Sequence, residues 1–318
     1  MRTDIGQIVH LADYRPTDFV LERVDLTFEL DPTETKVEAR LIFHRRDGVD
    51  PAVPLILDGD DLKLSGLLLD QNELPAAQYT ETPKSLTIRD LPPAIPFEVT
   101  ITTIINPTAN TQLMGLYRTG GIYCTQCEAE GFRRITYFPD RPDVLAPYTV
   151  NIIGDKAANP LLLSNGNFLG GAGYGEGKHF AAWFDPHPKP SYLFALVAGD
   201  LGVIEDTFVT LSEREVTLKI YVEHGKEARA AYAMDALKRS MKWDEDVFGR
   251  EYDLDIFMIV AVSDFNMGAM ENKGLNVFND KYVLADPETA TDADYANIEA
   301  IIAHEYFHNW TGNRITCR

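Results

Sequence analysis

His304, Glu305 and His308 stand in the order H-E-x-x-H, within a stretch from 295 to 308 that contains neither proline nor glycine. In a helix, residues four apart lie one turn above another on a single face. Two imidazoles placed in this way converge on one divalent metal ion, at about 2 Å each. Glu305 lies about 100° further round, where its carboxylate reaches a water beside the metal without ligating it. The residue types suit that chemistry. Neutral ring nitrogens give lone pairs to the ion, the ion lowers the pKa of the water towards 7, and the carboxylate accepts the proton as attack begins. The same spacing also suits a core helix with two hydrogen-bonded histidines and an exposed glutamate. The remaining histidines, His10, His44, His179, His187 and His224, show no ligand-like spacing.

A second constellation, Asn266 to Asn272, precedes that stretch. Gly268 and Ala269 are small enough to let a peptide backbone approach closely, and Glu271 offers a charge to a protonated amine. An ordinary strand edge with an exposed acid has the same appearance. Cys124 and Cys127 form a C-x-x-C. With no second pair and no strand-to-helix pattern around them, they read as buried or incidental thiols rather than a redox or metal site.

These residues need elements to hold them. Asp292 or Thr291 is the expected N-cap of the H-E-x-x-H helix, Ile298, Ile301 and Ile302 its buried stripe, and Gly312 its stop. Residues 255–262 read as a buried strand leading to the second constellation, and 216–222 as another strand. Residues 226–246 read as a helix with Ala230, Met234, Leu237 and Met241 near a 3.6 spacing. Before residue 200 the pattern is different. Segments at 19–28 and 36–43 alternate apolar and polar residues, the mark of half-buried strands. Asp31-Pro32-Thr33, Asp47-Gly48 and the glycine-rich run at 170–173 read as turns. The prolines of 185–190 exclude a helix interior there, and the apolar run at 192–198 suits a buried strand. The expected fold class is therefore a mainly β N-terminal domain, an antiparallel sandwich or saddle over 1–200, followed by the start of a mixed α/β domain over 201–318.

Composition narrows the functions. The chain has 318 residues and a net charge of -20, from 49 acidic against 29 basic residues. That balance repels phosphate backbones and anionic lipid, so neither nucleic acid nor a membrane surface is an expected partner. No apolar run reaches the roughly 18–20 residues of a membrane-spanning helix, and the opening residues lack a secretory pattern. Three cysteines, Cys317 being the third, argue against a disulfide-stapled secreted fold. The expected location is the cytoplasm.

GAMEN at 268–272 and HEYFHNW at 304–310 resemble the aminopeptidase N family of zinc metallopeptidases. YCTQCEAEGFRRITYFPDRPDVLAPY at 123–148 and GLNVFNDKYVLAD at 274–286 are similar to its bacterial alanyl aminopeptidase branch. The resemblance implies a β-saddle followed by the first part of a thermolysin-like catalytic domain, with His304 and His308 as ligands of one Zn2+ ion and Glu305 as general base. It implies that Glu271 and Glu128 hold the α-amine of a peptide with a free N-terminus, with Gln126 beside the pocket and Met267 on the wall of the first side-chain pocket. Gly268 and Ala269 would contact the peptide backbone, and Met270 and Asn272 complete the substrate-binding segment. Broad action on alanine, lysine, arginine and similar first residues is implied, in a protein expected to be a monomer.

The family's third zinc ligand, a glutamate on the following helix, and its oxyanion-binding tyrosine have no counterpart before Arg318. The sequence is therefore expected to be a piece of a longer enzyme, binding metal weakly and inactive alone. H-E-x-x-H by itself suits an endopeptidase equally well; Glu271 and Glu128 favour the exopeptidase. A peptide-binding module without catalysis has no need of Glu305.

Overall fold

The computed structural model describes residues 10–92 and 96–316; Cys317 and the opening residues lie outside it. The large N-terminal sheet has eight strands, in the spatial order Asn167–Gly173, Lys178–Lys189, Ala146–Asp155, Phe19–Glu29, Thr35–Arg45, Phe97–Ile105, Lys63–Leu69 and Asn72–Glu73. Its neighbours pair antiparallel, except that Phe19–Glu29 runs parallel to Ala146–Asp155. Alternation along Phe19–Glu29 changes phase at a bulge between Leu21 and Arg23, which returns Val24, Leu26 and Phe28 to the buried face. A four-stranded antiparallel sheet packs with it through a shared core. Its strands are Leu161–Ser164, Leu196–Gly199, Ile122–Gln126 and Gly115–Thr119. Phe132, Phe138, Tyr148 and Phe194 interlock in that core, with the Phe132 and Phe194 rings 5.2 Å apart and edge to face.

Two local expectations are corrected. The glycine-rich run at 170–173 is not a turn but the end of the edge strand Asn167–Gly173. A bulge with Gly170 at φ +143° lets the strand continue, and at Gly171 a Cβ would meet Phe180 O at 2.5 Å. Glycine here serves close backbone approach rather than chain reversal. The apolar run at 192–198 divides into the 3₁₀ turn Ser191–Leu193 and the strand Leu196–Gly199.

From Gly202 onward a five-stranded mixed sheet runs in the order Gly202–Val209, Glu215–Val222, Ile256–Val262, Leu275–Asn279 and Ala269–Met270. Helices α1 (Ala231–Phe248) and α2 (Asp292–Phe307) contact each other and share one core with this sheet. Ile256–Val262 explains why its sequence is apolar throughout. Phe257, Ile259 and Ala261 join the core with the helices, while Met258, Val260 and Val262 join the core of the β domain. A strand covered on both faces cannot alternate. The two sequence-distinct halves therefore meet across a continuous apolar layer. No helix of the described residues is long and apolar enough to cross a membrane.

Candidate active site

Helix α2 begins with a capping box: Thr291 Oγ1 accepts from Asp294 N at 3.3 Å, and Asp294 Oδ2 accepts from Thr291 N at 2.8 Å. Ile298, Ile302 and Tyr306, spaced four apart, are buried against α1 and the sheet. Burying that stripe leaves His304 exposed and His308 half-exposed on the other side. The two Nε2 atoms stand 3.1 Å apart, with their rings nearly perpendicular at 84°.

The chain turns back immediately after the helix, where Thr311–Gly312 pairs with Ile315–Thr316. This turn brings Thr311 O to 2.8 Å from His308 Nδ1. A carbonyl only accepts, so Nδ1 carries the proton and Nε2 presents its lone pair. Gly312 makes the turn possible. Its φ is +131°, and a Cβ there would stand 2.7 Å from His308 Nδ1.

Glu305 is 6% exposed, and its Oε2 is buried with no hydrogen-bond partner among the described residues. Burial pushes this carboxyl up to about 8, with further contributions from the charges of Glu271 and then Glu128. Those effects bring together residues far apart in sequence. Glu128 follows the N-terminal strand Ile122–Gln126, and Glu271 follows the edge strand Ala269–Met270. The Glu128 carboxyl is itself raised by burial and by Glu271, and lowered by His308.

Gln126 Nε2 donates to Met267 Sδ at 3.1 Å and to Glu128 O at 3.3 Å. It thus joins the two halves of the chain beside the acids. Met267 is 41% exposed. Ala269 is buried and Gly268 half-buried. Met270 and Asn272 are fully buried, and neither amide atom of the Asn272 side chain has a partner among the described residues. The structure thus gathers Glu128, Gln126, Met267, Glu271, His304, Glu305 and His308 at one place, while Met270 and Asn272, on either side of Glu271 in the chain, are buried.

The donor set fits zinc. Two nitrogens about 2.0–2.1 Å from a tetrahedral ion stand about 3.3 Å apart, close to the separation of the two Nε2 atoms. One ligand atom each from His304, Glu305 and His308 lies within 4.8 Å of the others, the one such grouping of three among the described residues. A dication beside them would favour the ionised form of the desolvated, unpartnered Glu305 carboxylate. Cys124 and Cys127, by contrast, are fully buried free thiols, and burial pushes Cys124 up to about 12.

An H-E-x-x-H helix packed beside an edge strand of a mixed sheet, with its second-histidine tautomer set by a backbone carbonyl, is an arrangement suited to a zinc-binding helix. The Peptidase M1 N-terminal domain matches residues 21–193, and the Peptidase family M1 domain matches residues 232–318. The chain belongs to peptidase family M1.

It is 59% identical over all 318 of its residues to the aminopeptidase N of Caulobacter vibrioides, and 56% identical over 316 residues to that of Escherichia coli. It spans 36% of the length of each. The crystal structure of Legionella pneumophila aminopeptidase A in complex with aspartic acid superposes on 96% of this chain with a TM-score of 0.91, at 38% identity and over 36% of that chain. M1 peptidases are zinc-dependent metallopeptidases in general, and the mainly β architecture followed by the start of a catalytic domain is theirs.

The sequence reading missed the residues behind the site: Asp253, Lys273, Asn309 and Asn313. His187, set aside there for want of ligand spacing, is close to Asp253, with Nε2 3.1 Å from Asp253 O. None of these contacts has a local spacing that a sequence motif records.

Proposed function

We propose that this chain carries the amine-recognition site and most of the metal centre of a zinc aminopeptidase, which releases single residues from the free N-terminus of peptides. The supporting observation is geometric. Gln126 Nε2 ties Glu128 O to Met267 Sδ, just ahead of Glu271, and Asn313 Nδ2, in the turn after the H-E-x-x-H helix, donates to Glu271 O at 2.8 Å. Two carboxylates from different halves of the chain thus stand near Glu305 and raise its carboxyl. Two acids together hold one ammonium, and a blocked or internal peptide leaves them desolvated and unpaired, which is expensive. The amine then fixes the register of the first peptide bond opposite Glu305.

Ala269–Met270 is the edge strand of its sheet, so its outer backbone groups can take an extended peptide as a further strand. Met267, exposed and held by Gln126, forms the wall for the first side chain. An adaptable thioether there suits broad choice among alanine, lysine, arginine and similar residues. His304 and His308 would hold a single zinc ion, with a third ligand from outside the described residues. Zinc bound there supplies a Lewis acid that makes a neighbouring water acidic enough to attack at neutral pH. Glu305 takes the proton from that water and returns it to the leaving amine. We read the protein as a cytoplasmic monomer with no nucleic-acid or membrane partner, and residues 1–318 alone as having little or no turnover.

The test compares zinc content and aminoacyl-amide hydrolysis for two proteins. One is residues 1–318, and the other is the same chain completed with the remaining length of the Caulobacter relative. Cleavage of free but not N-acetylated substrates by the completed protein is expected. Equal cleavage of both removes the aminopeptidase reading.

A further inference from the structure

Behind the site lies a charged cluster, buried at Lys273 and half-buried at Asp253, that the chemistry above does not use. Asp253 sits between α1 and the strand Ile256–Val262. Its Oδ1 accepts from Lys273 Nζ and, at 3.2 Å, from Asn309 Nδ2, and its Oδ2 pairs with Arg314. Lys273 Nζ also donates to Asn309 Oδ1 at 2.6 Å. Lys273 is 1% and Asn309 3% exposed.

The positions of these residues in the chain matter as much as their contacts. Lys273 comes two residues after Glu271, and Asn309 directly follows His308. A parallel tie runs from Asn313 Nδ2 to Glu271 O at 2.8 Å. The cluster is held in turn from the β domain. His187 Nε2 stands 3.1 Å from Asp253 O, and Asn165 Nδ2 donates to Lys273 O at 2.8 Å.

Stability alone is a poor account of such a cluster. Buried ion pairs replaced by well-packed apolar residues of similar volume often leave a protein equally stable or more so. What hydrogen-bonded charges add over apolar packing is direction and fixed distance. Here the fixed distance lies between the loop that presents Glu271 and the turn that presents His308.

We propose that Asp253, Lys273 and Asn309 are positioning residues, which set the separation between the amine-binding carboxylate and the metal-holding imidazole and so determine how strictly a free amine is required. Lys273 and Asn309 are buried, so they act through their neighbours. The inference rests on the amine-recognition reading above and deepens it.

The probe is an amino-acid hydroxamate, which reaches zinc through its hydroxamate while its α-amine meets the acids, compared with its N-acetyl form on the zinc-saturated chain. The unsubstituted chain is expected to bind the free form at least about tenfold more tightly. The double variant Asp253→Asn/Lys273→Met removes both charges while keeping their shapes. It is expected to retain its melting temperature and zinc affinity while the ratio falls to about two or less. Asn309→Ala, which keeps the Lys273–Asp253 pair, is the second variant and is expected to lower the ratio several-fold. A ratio that survives in the folded variants overturns the inference alone, as does an equal loss of affinity for both probes, the sign of general loosening. A ratio near one in the unsubstituted chain sinks the amine reading, and this inference with it.

Discussion

The two halves of the site are built in opposite ways. On the metal side, His304, Glu305 and His308 lie within five consecutive residues at the end of one helix, with His308 as its C-cap still in helical backbone, and their mutual placement follows from the helical period. On the amine side, Glu128 and Glu271 come from different domains and meet across an interface. The histidine pair and Glu305 are local and need only α2 and the turn behind His308. The amine side exists only when the β domain and the mixed sheet are docked. On the proposed function, metal binding and selectivity for a chain end are therefore separable, and substitutions should affect mainly one or the other.

The largest expected effect keeps the metal and removes the base. In the completed protein, Glu305→Gln should lower turnover by about 10²–10⁴-fold with zinc content unchanged by atomic absorption; unaltered turnover would mean that Glu305 is not the base. Glu271→Gln tests the other half. It should cost about 10²-fold in kcat/KM on free-amine substrates, the scale of losing one partner of a buried charge pair. Zinc content should hold and the preference over N-acetyl substrates should shrink; a loss of zinc instead would merge the two halves and break the comparison.

Gly312→Ala strikes the metal side most directly. An added Cβ 2.7 Å from His308 Nδ1 must shift the ring or the turn, and zinc affinity in chelator competition should fall at least about tenfold, the scale of disturbing a ligand's supporting contact. The smallest effect concerns the helix itself. Thr291→Ala removes the capping box and should lower stability by about 1 kcal/mol in urea unfolding, leaving the pairing of His304 with His308 intact.

The same contrast separates what the sequence disclosed from what it concealed. The cap at Thr291, the stripe of Ile298 and Ile302 and the converging imidazoles all repeat at intervals of three or four residues, so a linear reading reaches them. Glu128 and Gln126 were reachable only through resemblance, because no spacing connects them to α2. Asp253 and Asn309 escaped altogether: the pairing of a half-buried and a buried polar group 56 positions apart depends on tertiary docking, and a lone aspartate and a lone asparagine look like surface residues. The glycines at 170–173 misled for a related reason. Glycine permits a turn and permits an edge strand pressed against its neighbour, and only the opposing Phe180 carbonyl distinguishes the two.

The division of the site between an early and a late segment has a consequence for biogenesis. Ribosomes add on the order of ten residues per second, and domains emerging first fold first. The β domain carrying Glu128 and Gln126 can thus assemble on the order of ten seconds before α2 leaves the exit tunnel. When the nascent H-E-x-x-H helix arrives, Glu128, one of the two acids assigned above to the amine, is already in place, and the later segment with Glu271 docks against a surface made before it.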